Sequence, residues 1–194
     1  LQGKTLLNLD SEAEGELYVG CAGGVDTTAK FAYTPVEVEE GDVAIKVSLT
    51  GCKGGHSGCD IHLQRANANK LLFRFLKEAV ANYEARLACV EGGSLRNAIP
   101  REASAIITVP AEGVDDIMDL VAECEDLFVA EYDGVEDNIR LTAVEVACPA
   151  TELPEDVQDF LIHAITACPH GVYRVIPEMP DVVETSNNLA MLKT

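Results

Sequence analysis

The sequence predicts an α+β fold, an antiparallel sheet that carries its helices on one face, with one further helix towards the C-terminal end. Three observations predict it. Val43, Ile45, Val47 and Leu49 alternate with Ala44, Lys46 and Ser48, and the period of two returns near Ala103–Val109 and Ile139–Ala143, as half-buried strands require. Two longer segments, from Ala68 and from Gly113, switch to helical spacing. Their order is strand, helix, strand, strand, helix, strand, which is a split β-α-β arrangement.

Each element has its own signal. Lys4 to Leu9 is a short apolar run ending on Asp10, the pattern of a buried strand that delivers a carboxylate to a sheet edge. Gly15 to Gly24 reads as a turn and a short strand, and the acidic stretch Val36 to Asp42 as a loop. After the strand at Val43, glycines punctuate Gly51 to Gly58. Ala68, Leu72, Phe75, Leu76, Ala79 and Tyr83 then mark one face of a helix, with Lys70, Arg74, Lys77 and Glu78 opposite. Leu87 to Val90 is a strand stopped by Gly92-Gly93, and the strand around Ala103 to Val109 stops at Pro110. Ile117, Leu120, Cys124 and Phe128 define the inner face of the second helix, whose early carboxylates suit its positive end. Ile139, Leu141 and Ala143 form the fourth strand. Pro154, at a helix start, opens a third helix through Val157, Phe160, Leu161 and Ile165. The sum is a ferredoxin-like sheet with an extra C-terminal helix. Gly171 to Pro180 reads as a proline-bearing connection, and boundaries near Pro35 and Pro180 divide the chain into a flank at 1–35, a domain at 36–180 and a flank at 181–194.

Composition narrows the class. A chain of 194 residues, 47% of them apolar, supports one compact domain with pieces at its ends. No apolar run of about eighteen residues occurs, so no membrane span is expected, and no basic segment opens the chain as a leader would. The first residue is Leu1 rather than Met, which reads as a segment of something longer. A net charge of -19 repels phosphate backbones and anionic lipid, so neither nucleic acid nor a membrane surface is expected as a partner. Seven cysteines, odd in number and scattered over apolar positions, read as small core residues of a reducing, cytoplasmic compartment.

The chemistry centres on Gly54-Gly55-His56-Ser57-Gly58-Cys59-Asp60-Ile61-His62, where glycines bring backbone close to a bound group and leave the histidine without bulky neighbours. With Arg65-Ala66-Asn67-Ala68-Asn69-Lys70, Gly92-Gly93-Ser94-Leu95-Arg96-Asn97-Ala98-Ile99-Pro100-Arg101 and Asn8-Leu9-Asp10-Ser11-Glu12, this stretch closely resembles the aminoacyl-histidine dipeptidases. These are the peptidase D branch of the di-zinc aminopeptidase and carboxypeptidase superfamily. The sequence departs from the family at Gln64, where glycine is frequent, and at Asn187-Asn188-Leu189-Ala190, which replaces Leu-Asn-Leu-Gly.

The resemblance implies that residues 36–180 form the inserted lid, which also makes a homodimer, while the flanks belong to the catalytic domain. It implies a dipeptide substrate of the Xaa-His type and two zinc ions in the whole enzyme. Asp10 matches a metal ligand, the one such match in the chain. His56 matches the lid histidine that enters the partner subunit's active site and donates to the polarised carbonyl oxygen. Asn97 matches a substrate contact, and Arg101 is a candidate for the substrate carboxylate. Asp60 and His62 stand two apart, so one of them turns into the loop, and His62 is a further candidate for substrate contact.

Two other readings compete. Cys52, His56, Cys59 and His62 form C-x3-H-x2-C-x2-H, four zinc-competent ligands in a short span, though without the long inner spacer of most fingers. The other is a free-standing ferredoxin-like module that binds a small ligand, for which fold analogy alone speaks.

Overall fold

The structure, a computed structural model, describes residues 3–5, 7, 14–18 and 21–194. The chain divides into two units, 1–30 and 31–194. In the first, the described residues are exposed, with a turn at Glu14-Gly15 and a hydrogen bond from the Tyr18 hydroxyl to Glu16 at 2.7 Å. Asp10 and half of the strand expected before it, Leu6, Asn8 and Leu9, lie outside the described residues.

The second unit holds the expected α+β arrangement. Its sheet is built from β1 (Val43–Thr50), β2 (Arg86–Gly92), β3 (Ala103–Val109) and β4 (Arg140–Val146). Between them run α1 (Ala68–Asn82) and α2 (Val114–Glu131), and α3 (Glu155–Ala167) follows. The strands lie in the order β2-β3-β1-β4, every neighbour antiparallel, with Val43 opposite Val109 and Ala44 opposite Val146. That order is what the split β-α-β pattern demands, because each helix crosses over one strand before the chain re-enters the sheet.

Alternation along β1 decides where the core sits. Ile45, Val47 and Leu49 are fully buried against Leu72, Phe75 and Leu76 of α1, Ile117 and Phe128 of α2, and Ile162 of α3, whereas Lys46 points away into solvent. Each such Leu, Ile or Phe contributes about 2 kcal/mol by leaving water, so this single layer dominates the stability of the domain. Helix α1 begins at Ala68 because the Asn67 side chain accepts the Lys70 N–H at 3.2 Å, satisfying one of the first-turn donors. Helices α2 and α3 lack a side-chain cap but carry Asp115-Asp116 and Glu155-Asp156 at their positive ends. At the far end of α3 the Lys70 ammonium donates to the carbonyls of Ile165, Thr166 and Cys168, each at 2.8 Å.

Three features differ from the sequence reading. Gly171–Ile176 (β5) and Met179–Asn187 (β6) form a hairpin, not a connection; Pro180 is tolerated because it falls where the ladder loses register between Met179 and Val183. Val36–Glu37, in the expected loop, pairs with Thr151–Glu152. Of the seven cysteines, all free, Cys52 alone is buried, the others being exposed or half-buried.

A short strand, β7 (Leu192–Lys193), adds to β2 and closes that side of the sheet. Outward polar groups of β2 are engaged there as well. Leu87 N–H donates to the Gln158 side chain at 2.6 Å and its carbonyl accepts the Leu153 N–H, while Val90 exchanges bonds with Thr194. Strand β4, at the other edge, has a strand partner on one side only.

Candidate functional site at the His56 loop

Between β1 and α1 the chain leaves the sheet and folds on itself. Gly55–His56 pairs antiparallel with Ala98–Ile99, Gly55 opposite Ile99 and His56 opposite Ala98. Gly54 must be glycine here: it sits at φ +62°, and a Cβ would run into the Arg101 side chain and the Ile99 carbonyl. The small ladder brings His56 beside Asn97, whose carbonyl accepts the Ser57 N–H at 2.9 Å.

Asp60 is the residue that turns into the loop. Its Oδ2 accepts the His56 N–H at 2.8 Å, and its own N–H donates to the His56 carbonyl at 2.9 Å. Arg65 lies 3.7 Å from that carboxylate and donates to the Gly54 carbonyl at 2.6 Å. The backbone on both sides of His56 is therefore held by side chains from the same loop. Gln64, where the family frequently has glycine, adopts φ 54° and ψ 34°, the left-handed conformation that glycine takes at least cost.

The ring itself is fixed. Nδ1 of His56 accepts the N–H of Gly58 at 3.0 Å and of Cys59 at 3.1 Å. A ring nitrogen that accepts cannot carry a hydrogen, so the neutral imidazole holds its hydrogen at Nε2. The side chain is exposed, and the loop thus presents one oriented N–H donor outward.

Asn97 and Arg101 are exposed on the facing segment. A groove of about 810 Å³ opens beside it, lined by Gly55, Ile99, Arg101 and Glu102 and by Ser48 and Ser104 on the helix-free face of the sheet. Among the described residues no carboxylate is in ion-pair contact with Arg101, which leaves its guanidinium free for an anionic group. His62 stands apart: exposed on the turn Ile61–Leu63, it has no hydrogen-bond partner among the described residues and shares none of the contacts that join His56, Asn97 and Gly54.

The zinc module is not assembled. Among the described residues no group of three or more His, Cys, Asp or Glu is placed to hold a metal ion. Cys52 is buried, and burial, with Glu136 and Glu102 nearby, pushes its thiol up to about 12, whereas Cys59 and His62 are exposed. His56 Nδ1 is already taken by backbone N–H groups.

The Asn67 and Asn69 side chains, central to the sequence motif, are buried and structural. Both amides donate to the Leu189 carbonyl, at 3.1 and 3.2 Å. Asn188 in turn donates to the carbonyl of Ala98, the residue opposite His56, at 2.8 Å. Sequence reasoning missed this tie, since nothing in local spacing pairs positions ninety residues apart.

Residues 47–136 match the family model of the peptidase dimerisation domain. This segment is a peptidase dimerisation domain. Over 192 residues the chain is 42% identical to the cytosol non-specific dipeptidase of Escherichia coli (strain K12), an alignment that takes in 99% of this chain and 40% of that protein. It is also similar to the crystal structure of aminoacylhistidine dipeptidase from Vibrio alginolyticus, with a TM-score of 0.82 and 41% identity over 84% of this chain and 34% of that one. The family read from the motifs is thus borne out, and the chain spans about two fifths of the length of the curated relative it matches. The dimerisation domain includes His56 and Asn97, and no helix among the described residues is long and apolar enough to cross a membrane.

Proposed function

We propose that this chain is the lid and dimerisation segment of a cytoplasmic, zinc-dependent dipeptidase acting on Xaa-His type dipeptides. In this reading residues 36–180 form the lid and the homodimer contact, and 1–35 and 181–194 belong to the catalytic domain. His56 reaches the partner subunit's active site and donates its Nε2–H to the oxygen of the scissile carbonyl. The single observation that carries the reading is the double backbone hydrogen bond to His56 Nδ1, which fixes the tautomer an oxyanion donor needs. Asn97 supplies an amide for a peptide or carboxylate oxygen, and Arg101 a cation for the substrate carboxylate. His62 is left as a peripheral contact.

Zinc enters as a property of the whole enzyme. The described residues gather no ligand set, and Asp10 is the one ligand this segment would lend, so no step of the reading runs through a metal held here.

The test is His56→Ala in the full-length enzyme. A donor aimed at developing negative charge is worth about 10²- to 10³-fold, so kcat should fall by that factor with KM little changed. An unchanged kcat would remove His56 from the chemistry.

A further inference from the structure

We infer that Glu136 is a positioning residue for His56. The inference rests on the reading of His56 as an oxyanion donor. Its structural half stands independently.

Glu136 lies in the connection between α2 and β4, remote from His56 in sequence, yet its carboxylate spans the base of the His56 loop. Oε2 accepts the Lys53 N–H at 2.7 Å and Oε1 accepts the Ala66 N–H at 2.9 Å. Those two amides flank residues 54–65, the whole segment that carries His56, Asp60 and Arg65. Both oxygens are thus used, one on each arm, and the residue is only 8% exposed. A buried carboxylate with two backbone donors is a short, charge-assisted clamp. The Lys53 side chain reinforces it, donating to the Val135 carbonyl at 2.6 Å and pairing with Asp137 at 2.8 Å. The turn after α2, where Val135 and Glu136 N–H both donate to the Tyr132 carbonyl, aims the side chain inward.

The consequence follows from the loop's own bonds. Asp60, Arg65 and the backbone at Gly58 and Cys59 fix the imidazole within the loop; none of them fixes the loop to the rest of the domain. The Gly55–His56 ladder and the Ser57 bond do so on the side of Asn97, and Glu136 does so at both ends of the loop. Releasing one arm lets the donor drift relative to an oxygen held by other elements. A displacement of about 1 Å can cost 10²-fold in rate.

Two variants test this. Glu136→Gln can offer its one carbonyl oxygen to only one of the two amides; Glu136→Asp keeps the charge but is a methylene too short to span both. On the 194-residue chain, hydrogen exchange at amides 53–66 should quicken by about tenfold or more in each, with the core amides of β1 and α1 slowed or quickened alike only by the global change in stability. In the full-length enzyme, Glu136→Gln should lower kcat by about tenfold with KM within about twofold, and should add nothing further in a His56→Ala background, because its effect passes through that ring. Unchanged loop exchange would overturn the clamp. A loss of kcat as large with His56 absent as with it present would overturn the link to His56. If His56→Ala itself leaves kcat unchanged, the proposed function fails, and loop exchange still decides whether Glu136 holds the loop.

Discussion

Replacing Lys70 by Met should destabilise the domain by about 2 to 3 kcal/mol. Methionine keeps the length and apolar stem of the side chain but removes the ammonium that donates to three carbonyls at the end of α3. Of those carbonyls, Thr166 belongs to an exposed residue and can turn to water. Ile165 is buried and Cys168 half-buried, and their oxygens lose a partner that solvent replaces poorly. Each dry, unpaired carbonyl costs roughly 1 kcal/mol, and losing a cation from a helix C-terminus adds about 0.3 to 1 kcal/mol. For a chain of this size 1 kcal/mol moves the thermal midpoint by about 2 to 4 °C, so Tm should fall by roughly 5 to 10 °C. Urea unfolding followed by circular dichroism measures the free energy, and hydrogen exchange in the last turn of α3 locates it. A loss below about 0.5 kcal/mol, or a loss without faster exchange there, would refute the capping argument. Lys70→Arg keeps the charge, but its planar fork cannot converge on three carbonyls, and it should recover about half the loss.

His170 should make stability depend on pH. Burial, and then the Lys70 ammonium, pull its ring from 6.5 down to about 4, and Asn67 Nδ2 lies 3.1 Å from Nδ1, where the neutral ring accepts. The unfolded ring takes a proton near 6.5 and the folded ring near 4, so the contribution is complete above 6.5 and is lost as pH falls through 4. With the ring's partial exposure discounted, the loss is about 2 kcal/mol; denaturation midpoints between these limits should slope in the parent and flatten in His170→Asn. Equal slopes in the two would sink the assignment. Gly92→Ala should cost about 3 kcal/mol, because a Cβ there would overlap the Asn69 Oδ1 and press on Ala103, and Asn69 is fully buried with nowhere to go. A midpoint within 2 °C of the parent would show that Asn69 can move.

The legible parts of this molecule are those in which one period acts over many residues. The alternation of β1 and the spacing of α1 each bury a face, so both were readable, and with them the order of the sheet. Short pairings are set instead by partners far along the chain. Val36–Glu37 becomes a strand because Thr151–Glu152 lies opposite, and β5 pairs with β6 despite Pro177 and Pro180. The same division runs through the site. The glycines announced an exposed histidine, and the wording around Asn97 put a second polar group near it. Glu136, however, sits in an acidic turn indistinguishable from a solvated one, and only the fold brings its oxygens to Lys53 and Ala66. Asn67 and Asn69 illustrate the converse, since motif residues that look chemical in sequence are buried and tie down the segment at Leu189.

The closed side of the sheet has a consequence for assembly. A strand edge with free amides and carbonyls is a template for another chain, and a sheet with two such edges can add copies without limit. Here the template on β2 is taken at Leu87 by Gln158 and Leu153, at Val90 by Thr194 and at Glu91–Gly92 by β7. Addition through β4, where the Leu141 N–H is already given to Glu125 at 2.6 Å, can use only the rest of that edge, and growth by this route terminates at a closed pair instead of running on into a fibre.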